Sequence, residues 1–198
     1  KNVFKNFNSK FQLVLIHAKK IDNKTKLKES KHLLKEIEEL IQLTFNKDLV
    51  RNHHLISPWK VAQEQFGSKA KHYHTSVERL IKQVIKKKSV VSNDVLTNLV
   101  RYVSLKHIIP IGVDDYDKID THLIFSVAEG NEKIDLLRRL KKNALYYKDN
   151  KNILGTKLDY WKSKKTALTI DSDNALVHLE ILPPVNKKEL NKMTTELK

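Results

Sequence analysis

Hydrophobic and polar positions divide the chain into a helix-rich first half and a strand-rich second half. Phe11 to Lys19 is a continuous apolar run of β-forming residues, the pattern of a buried strand. After a turn at Asp22-Asn23, Leu33, Leu34, Ile37, Leu40, Ile41 and Phe45 recur at spacings of three and four. That spacing predicts an amphipathic helix over Leu27–Phe45, with Lys and Glu on its outer face. Asn46 to Ile56 reads as a polar loop. Ser57-Pro58 is a helix start, with Ser at the N-cap and Pro at the first helical position. A short helix follows over Trp59–Phe66 and ends at Gly67. Thr75 with Glu78 three residues on reads as a capping box. The helix it opens carries Val77, Leu80, Ile81, Val84 and Ile85 on one stripe and closes on Lys86, Lys87 and Lys88, cations suited to a helix C-terminus. Ser92-Asn93-Asp94 caps a further helix, Asp94 to Lys106, with Val95, Leu96, Leu99, Val100 and Val103 facing inward.

Pro110 and Gly112 then lead into an acidic segment, Asp114-Asp115-Tyr116-Asp117, that reads as a turn. Beyond it the period changes to two. His122–Ala128 predicts a strand closed at Gly130-Asn131, and Ile134–Leu137 is a candidate for short structure. Ala144–Lys148 and Ile153–Trp161 are strand candidates, the latter interrupted by Gly155. Ala175–Leu182 is the clearest late strand, stopped by Pro183-Pro184. Lys187–Leu197 predicts a terminal helix. The fold expected is α+β: a single domain over residues 1–198, its two halves packed on a mixed sheet.

Composition narrows the options. The chain has 198 residues, 40% of them hydrophobic, enough to build one core. It has no cysteine, which removes disulfides, thiol nucleophiles and Cys-ligated zinc. No apolar run approaches the ~20 residues needed to span a bilayer, and Lys1, Lys5 and Lys10 interrupt any signal-peptide core, so no membrane association and a cytoplasmic location are expected. The net charge of +15 creates a field that favours polyanions. Lys-, Asn- and Ile-rich usage also follows from AT-rich coding, and placement of the charge decides between the two.

Candidate chemistry is sparse. His53-His54 and His72-x-His74 have the residue type of metal ligands. Neither pair has the i, i+4 helical spacing of a metallohydrolase, so loop histidines are the better reading and no metal is expected. Asp114, Asp115 and Asp117 lack an EF-hand pattern and fit a turn that satisfies its own backbone. Neither a nucleophile elbow nor a phosphate-cradling glycine loop is present, and no cofactor is expected. The basic runs Lys86–Lys88, Arg138-Arg139-Leu140-Lys141-Lys142 and Lys162-Ser163-Lys164-Lys165 are either phosphate contacts or a solvated face. Tyr146, Tyr147, Tyr160 and Trp161 are available for stacking. His178 and Glu180 share one face of the late strand, either as a proton-transfer pair or as an exposed polar face.

Several blocks in order resemble a known family. Thr75–Leu80, Asn98–Lys106, Ile109-Pro110-Ile111-Gly112, Asp115, Asp117-Lys118-Ile119, Lys165–Thr169, Asn174–Val177, Glu180 and Pro183-Pro184 are similar to the B3/B4 domain. That domain occurs in the β subunit of phenylalanyl-tRNA synthetase and as free-standing proteins. The resemblance spans about Trp59 to Val185, and Asp159-Tyr160-Trp161-Lys162 is close to the Trp-containing motif of the free-standing type. In the synthetase the domain hydrolyses a wrongly attached amino acid from tRNA. The resemblance therefore implies a protein that binds tRNA or aminoacyl-tRNA and edits in trans. A non-catalytic module that recognises an amino acid, a small ligand or a protein is the alternative. Glu180, with His178, would be the catalytic pair. Pro110, Ile111, Gly112, Asp115, Asn98, Trp161 and Thr166 would bind substrate. Lys86, Lys87, Lys88, Arg138, Arg139, Lys162, Lys164 and Lys165 would bind RNA. Gly112 stands where the synthetase carries a histidine.

Overall fold

The computed structural model describes residues 9–65, 75–134, 139–156 and 160–197. A three-stranded sheet forms the spine, in the order β1 (Gln12–Lys19), β7 (Asn174–Ile181), β2 (Ile111–Asp115). A second sheet runs in the order β3 (Ile124–Val127), β4 (Leu145–Lys148), β5 (Ile153–Thr156), β6 (Trp161–Lys162). The α+β class is borne out, but the strands form two sheets rather than one mixed sheet, and every pairing between them is antiparallel.

The central strand β7 is covered on both sides. Val177, Leu179 and Ile181, with Ile111 and Val113 of β2, pack against Leu96, Val100 and Val103 of α5 (Val95–His107) and Met193 of α6 (Lys187–Glu196). The opposite face of β7 carries Leu176, His178 and Glu180, and the register Gly112↔His178 and Asp114↔Leu176 adds two β2 residues to it. The second sheet closes over this face: Tyr147 lies edge-on to His178 at 4.8 Å and Phe125 at 5.6 Å. Both faces of β7 are therefore interior, which excludes an exposed polar face for His178 and Glu180.

A helical layer stands beside this spine: α1 (Leu27–Thr44), α2 (Lys47–Asn52) and α4 (Ser76–Ile85), while α3 (Ser57–Gln65) packs Trp59 and Ala62 with Phe11, Leu145 and Leu182. Leu34, Ile37, Ile41, Val50, Val77, Ile81, Val84 and Leu105 form its core. The caps set the boundaries. The Asp94 carboxylate accepts from Thr97 N at 2.8 Å to start α5, and the Thr75 hydroxyl accepts from Glu78 N to start α4. Asn46 accepts from both Asp48 N and Leu49 N, so a segment read as loop is the short helix α2.

Two further expectations change. β1 is an edge strand with one face covered, and Leu15 is 52% exposed, so it is not the fully buried strand its apolar run suggested. The acidic segment begins as strand: β2 is buried at all five positions, and the turn follows at Tyr116–Lys118, where the Asp115 side chain accepts from Asp117 N. Asp114 tolerates the interior because its partners come from elsewhere in the chain. The strand predicted over Ile153–Trp161 is two pieces, β5 and β6, with 157–159 outside the described residues. The end proposed for α3 at Gly67 and the short structure at 135–137 also lie outside them.

Candidate functional site

A buried polar network links the two sheets. Asp114, in β2, is 0% exposed, yet it carries a carboxylate that needs compensation. Its Oδ2 lies 3.1 Å from Lys162 Nζ and accepts from the Tyr147 hydroxyl at 3.2 Å, while Oδ1 accepts from the Thr166 hydroxyl at 2.5 Å. His178 Nε2 stands 3.5 Å from the same Oδ2, and its Nδ1 is 2.6 Å from Glu180 Oε1. One imidazole thus lies between two carboxylates. Burial would raise the Asp114 pKa. The Lys162 charge, His178 and the Thr166 hydroxyl outweigh it and hold the carboxyl below its ordinary 3.8.

A cleft of about 440 Å³ opens on the outer edge of β2. Its walls include Ser76 and Arg79 of α4, Asp94 at the start of α5, Arg101 of α5, Ile111–Val113 of β2, and Lys162. Lys162 therefore belongs both to the cleft and to the buried network. The strand register decides what β2 presents here. Glu180 N donates to Pro110 O, so the narrow pairs with β7 are made at 110, 112 and 114, and the backbone groups of Ile111, Val113 and Asp115 point outward. Asp115 N indeed donates outward, to Thr166 O at 2.8 Å. The outward amides of Ile111 and Val113 have no partner among the described residues, and they edge the cleft.

The residues singled out in the sequence separate into groups. Ile111, Gly112 and Lys162 line the cleft. Thr166 and Pro110 support it from behind, through Asp114 and Glu180 N. His178 and Glu180 meet each other but are 0% and 1% exposed and are not part of the cleft wall. Asp115 binds Ser172 Oγ at 2.6 Å and Lys118 at 2.8 Å, which holds the turn rather than a ligand. Asn98 is fully buried: Oδ1 accepts from Ser92 N at 2.7 Å, and Nδ2 donates to Ser30 Oγ and Ser92 O. It ties the 92–94 cap to α1. Trp161 is half-buried in β6.

Lys86, Lys87 and Lys88 are exposed between Gln83 and Ser89, both of which line the cleft. Lys164 and Lys165 are likewise exposed, between Lys162 and Ala167 of its wall, and Lys165 Nζ bonds the Asn152 side chain. Arg139 is exposed on a separate β-bridge with Lys133, and Arg138 lies outside the described residues. Of the aromatics considered for stacking, Tyr146 and Tyr147 are buried. The His53 and His54 rings lie 4.5 Å apart in a tilted arrangement beside Phe45, and His72 and His74 lie outside the described residues. Among the described residues no group of three or more His, Cys, Asp or Glu could hold a metal ion, and no helix is long and apolar enough to cross a membrane.

Arg79 and Arg101 carry no site role in the sequence reading, and Asp114 is assigned there to a turn. Asp114 looked like a turn residue because its partners are 33 to 64 positions away. Its one local signal was the alternation Gly112, Asp114 on the strand that begins after Pro110.

Fold and site together define a small α+β domain with a cationic cleft at a sheet edge. The chain belongs to the B3/4 domain family, whose model matches residues 59–197. This domain is found in the β subunit of phenylalanyl-tRNA synthetase, which associates the family with tRNA synthetases and nucleic-acid binding. A search of curated proteins finds no match to the chain.

Proposed function

We propose that this chain binds the aminoacylated 3′ end of a tRNA in the cleft beside β2 and hydrolyses the ester of a wrongly attached amino acid in trans. The observation that carries this reading is the placement of the cleft. It opens at Ile111–Val113, overlapping the Pro110-Ile111-Gly112 segment that the resemblance implies for substrate binding, and it is flanked by the exposed lysines at 86–88 and 164–165. A positive mouth around a concave site suits an RNA end.

The chemistry needs few side chains. Water attacks the ester carbonyl carbon, and the oxyanion that forms takes a hydrogen bond from one of the outward amides of β2. The bond to the ribose oxygen then breaks, and that oxygen receives the proton, with the neighbouring ribose hydroxyl as relay. Amino acid and free 3′ end leave. His178 and Glu180 act from behind β2 as positioning residues, fixing Asp114 and hence Lys162 at the cleft. No metal or cofactor enters the scheme.

A panel of mischarged tRNAs incubated with wild type and Glu180→Ala tests it. Release of one amino acid by wild type, reduced at least about tenfold in the variant with tRNA binding retained, is the expected result. A second reading, a binding module without hydrolysis, draws on the burial of His178 and Glu180 away from the cleft wall. tRNA binding with no release from any member of the panel selects it.

A further inference from the structure

The cleft contains a pair of cations that the buried network does not use. Arg79 projects from α4 and Arg101 from α5, and both line the cavity. Arg79 Nη1 donates to Tyr160 O at 2.6 Å and Arg101 Nη1 to Val90 O at 2.5 Å. A guanidinium has five donors, so most of each fork remains available. Neither has a carboxylate within ion-pair distance among the described residues. The nearby acids are already committed: Asp94 to Thr97 N and Ser92 Oγ, Glu38 to Val90 N and Ser89 Oγ.

The two arginines also sense each other. Burial lowers the Arg101 pKa, Asp94 opposes this, and the Arg79 charge lowers it again. Two like charges line a partly desolvated cleft, neither held in an ion pair among the described residues, and an entering anion would relieve their repulsion. Ser76 adds an independent sign. It lines the same cleft, is 7% exposed, and its hydroxyl has no partner. Buried hydroxyls are rarely left unsatisfied, and one beside two guanidinium forks is a ready donor to an oxyanion.

We infer that Arg79, Arg101 and Ser76 form a phosphate clamp that grips the sugar-phosphate of the terminal nucleotide of an RNA, separate from the lysine rim. Two arginine forks from different helices can engage several oxygens of one phosphate, which a single carboxylate cannot offer. The choice of RNA as the source of the phosphate rests on the tRNA-binding reading; the clamp itself does not require hydrolysis.

Calorimetric titration at low salt with 5′-AMP, the trinucleotide CCA, adenosine, L-tyrosine and inorganic phosphate tests the clamp. Wild type binds AMP and CCA at least about tenfold more tightly than adenosine or tyrosine, and Arg79→Gln and Arg101→Gln each weaken AMP and CCA about five- to tenfold. Ser76→Ala weakens them less. Arg101→Lys, which keeps the charge, recovers part of the Arg101→Gln loss, and melting curves taken alongside separate binding from folding. Arg79 is exposed, so its variant carries the test if Arg101→Gln does not fold. Replacing Lys86, Lys87 and Lys88 by Gln leaves AMP affinity unchanged while tRNA affinity falls. Equal affinity for adenosine and AMP, preferential binding of tyrosine, or unchanged AMP affinity in both arginine variants overturns the clamp. Inorganic phosphate binding as tightly as CCA upholds the oxyanion site and assigns it to free phosphate. Intact AMP binding without ester hydrolysis removes the editing reading alone; intact tRNA binding with both arginines replaced removes the clamp alone.

Discussion

Lys162 Nζ lies 3.1 Å from Asp114 Oδ2, so a fully buried strand residue holds a side chain that lines an open cleft. Lys162→Met leaves the Asp114 charge in the interior without its counter-ion. We expect a loss of about 2–4 kcal/mol in urea unfolding, reduced from the full cost of a broken buried pair because Lys162 is partly exposed. Adding Asp114→Asn removes the stranded charge and should recover more than half of the loss. Two single effects that simply add would show that the pair is not coupled.

The same contact sets a pH dependence. The Asp114 carboxyl titrates below 3.8 in the folded chain, because Lys162, His178 and Thr166 outweigh the effect of burial. Since the folded value lies below the unfolded one, its contribution is fully present above about pH 4 and is lost as pH falls toward the folded value. Thr166→Val withdraws one hydrogen bond and should move the onset of acid unfolding to higher pH. Asp114→Asn should flatten that limb of the stability curve. Melting temperatures collected from about pH 2 to 6 measure both.

Asn98 is a structural hub rather than a ligand contact. Asn98→Ala should cost about 2–3 kcal/mol, since it leaves Ser92 N without its acceptor and takes the Nδ2 donor from Ser92 O and Ser30 Oγ. RNA affinity of the folded variant should stay within about twofold of wild type. A larger fall in affinity, with stability unchanged, would return Asn98 to the site.

Salt reads the rim. RNA affinity should fall steeply with ionic strength, and replacing Lys164 or Lys165 by Gln should reduce the slope of log K against log salt by about one each. Arg139, on the separate bridge with Lys133, should leave the slope unchanged. Affinity that is flat in salt would remove the electrostatic basis of RNA binding.

Local signals were strong where the physics is local. The cap at Asp94, the stripe Val77–Ile85 and the late strand before Pro183 form as their residues indicate, while at Thr75 only the hydroxyl half of the capping box forms, because the Glu78 carboxylate pairs with Lys82 and Arg51. β2 was hidden because Asp114 and Asp115 oppose strand propensity, and only tertiary partners at Tyr147, Lys162, Thr166 and Ser172 reverse that preference. The pairing of His178 with Glu180 followed from strand alternation, whereas their burial depended on a second sheet whose position no spacing in β7 reveals. Arg79 and Arg101 lie on different helices and become a pair only once α4 and α5 pack side by side.

The strand order β1-β7-β2 has a consequence for how the chain acquires its shape. Gln12 pairs with Ile181 and Lys19 with Asn174. The spine therefore cannot close until β7, more than 150 residues after β1, has left the ribosome, and β1 must wait with its ladder groups unmet. The helical layer, whose contacts among α1, α2 and α4 are nearer in sequence, can form while β1 waits. Assembly of β7 between β1 and β2 then completes the sheet edge and the cleft in one late event, so a chain released early in synthesis carries helices but no binding site.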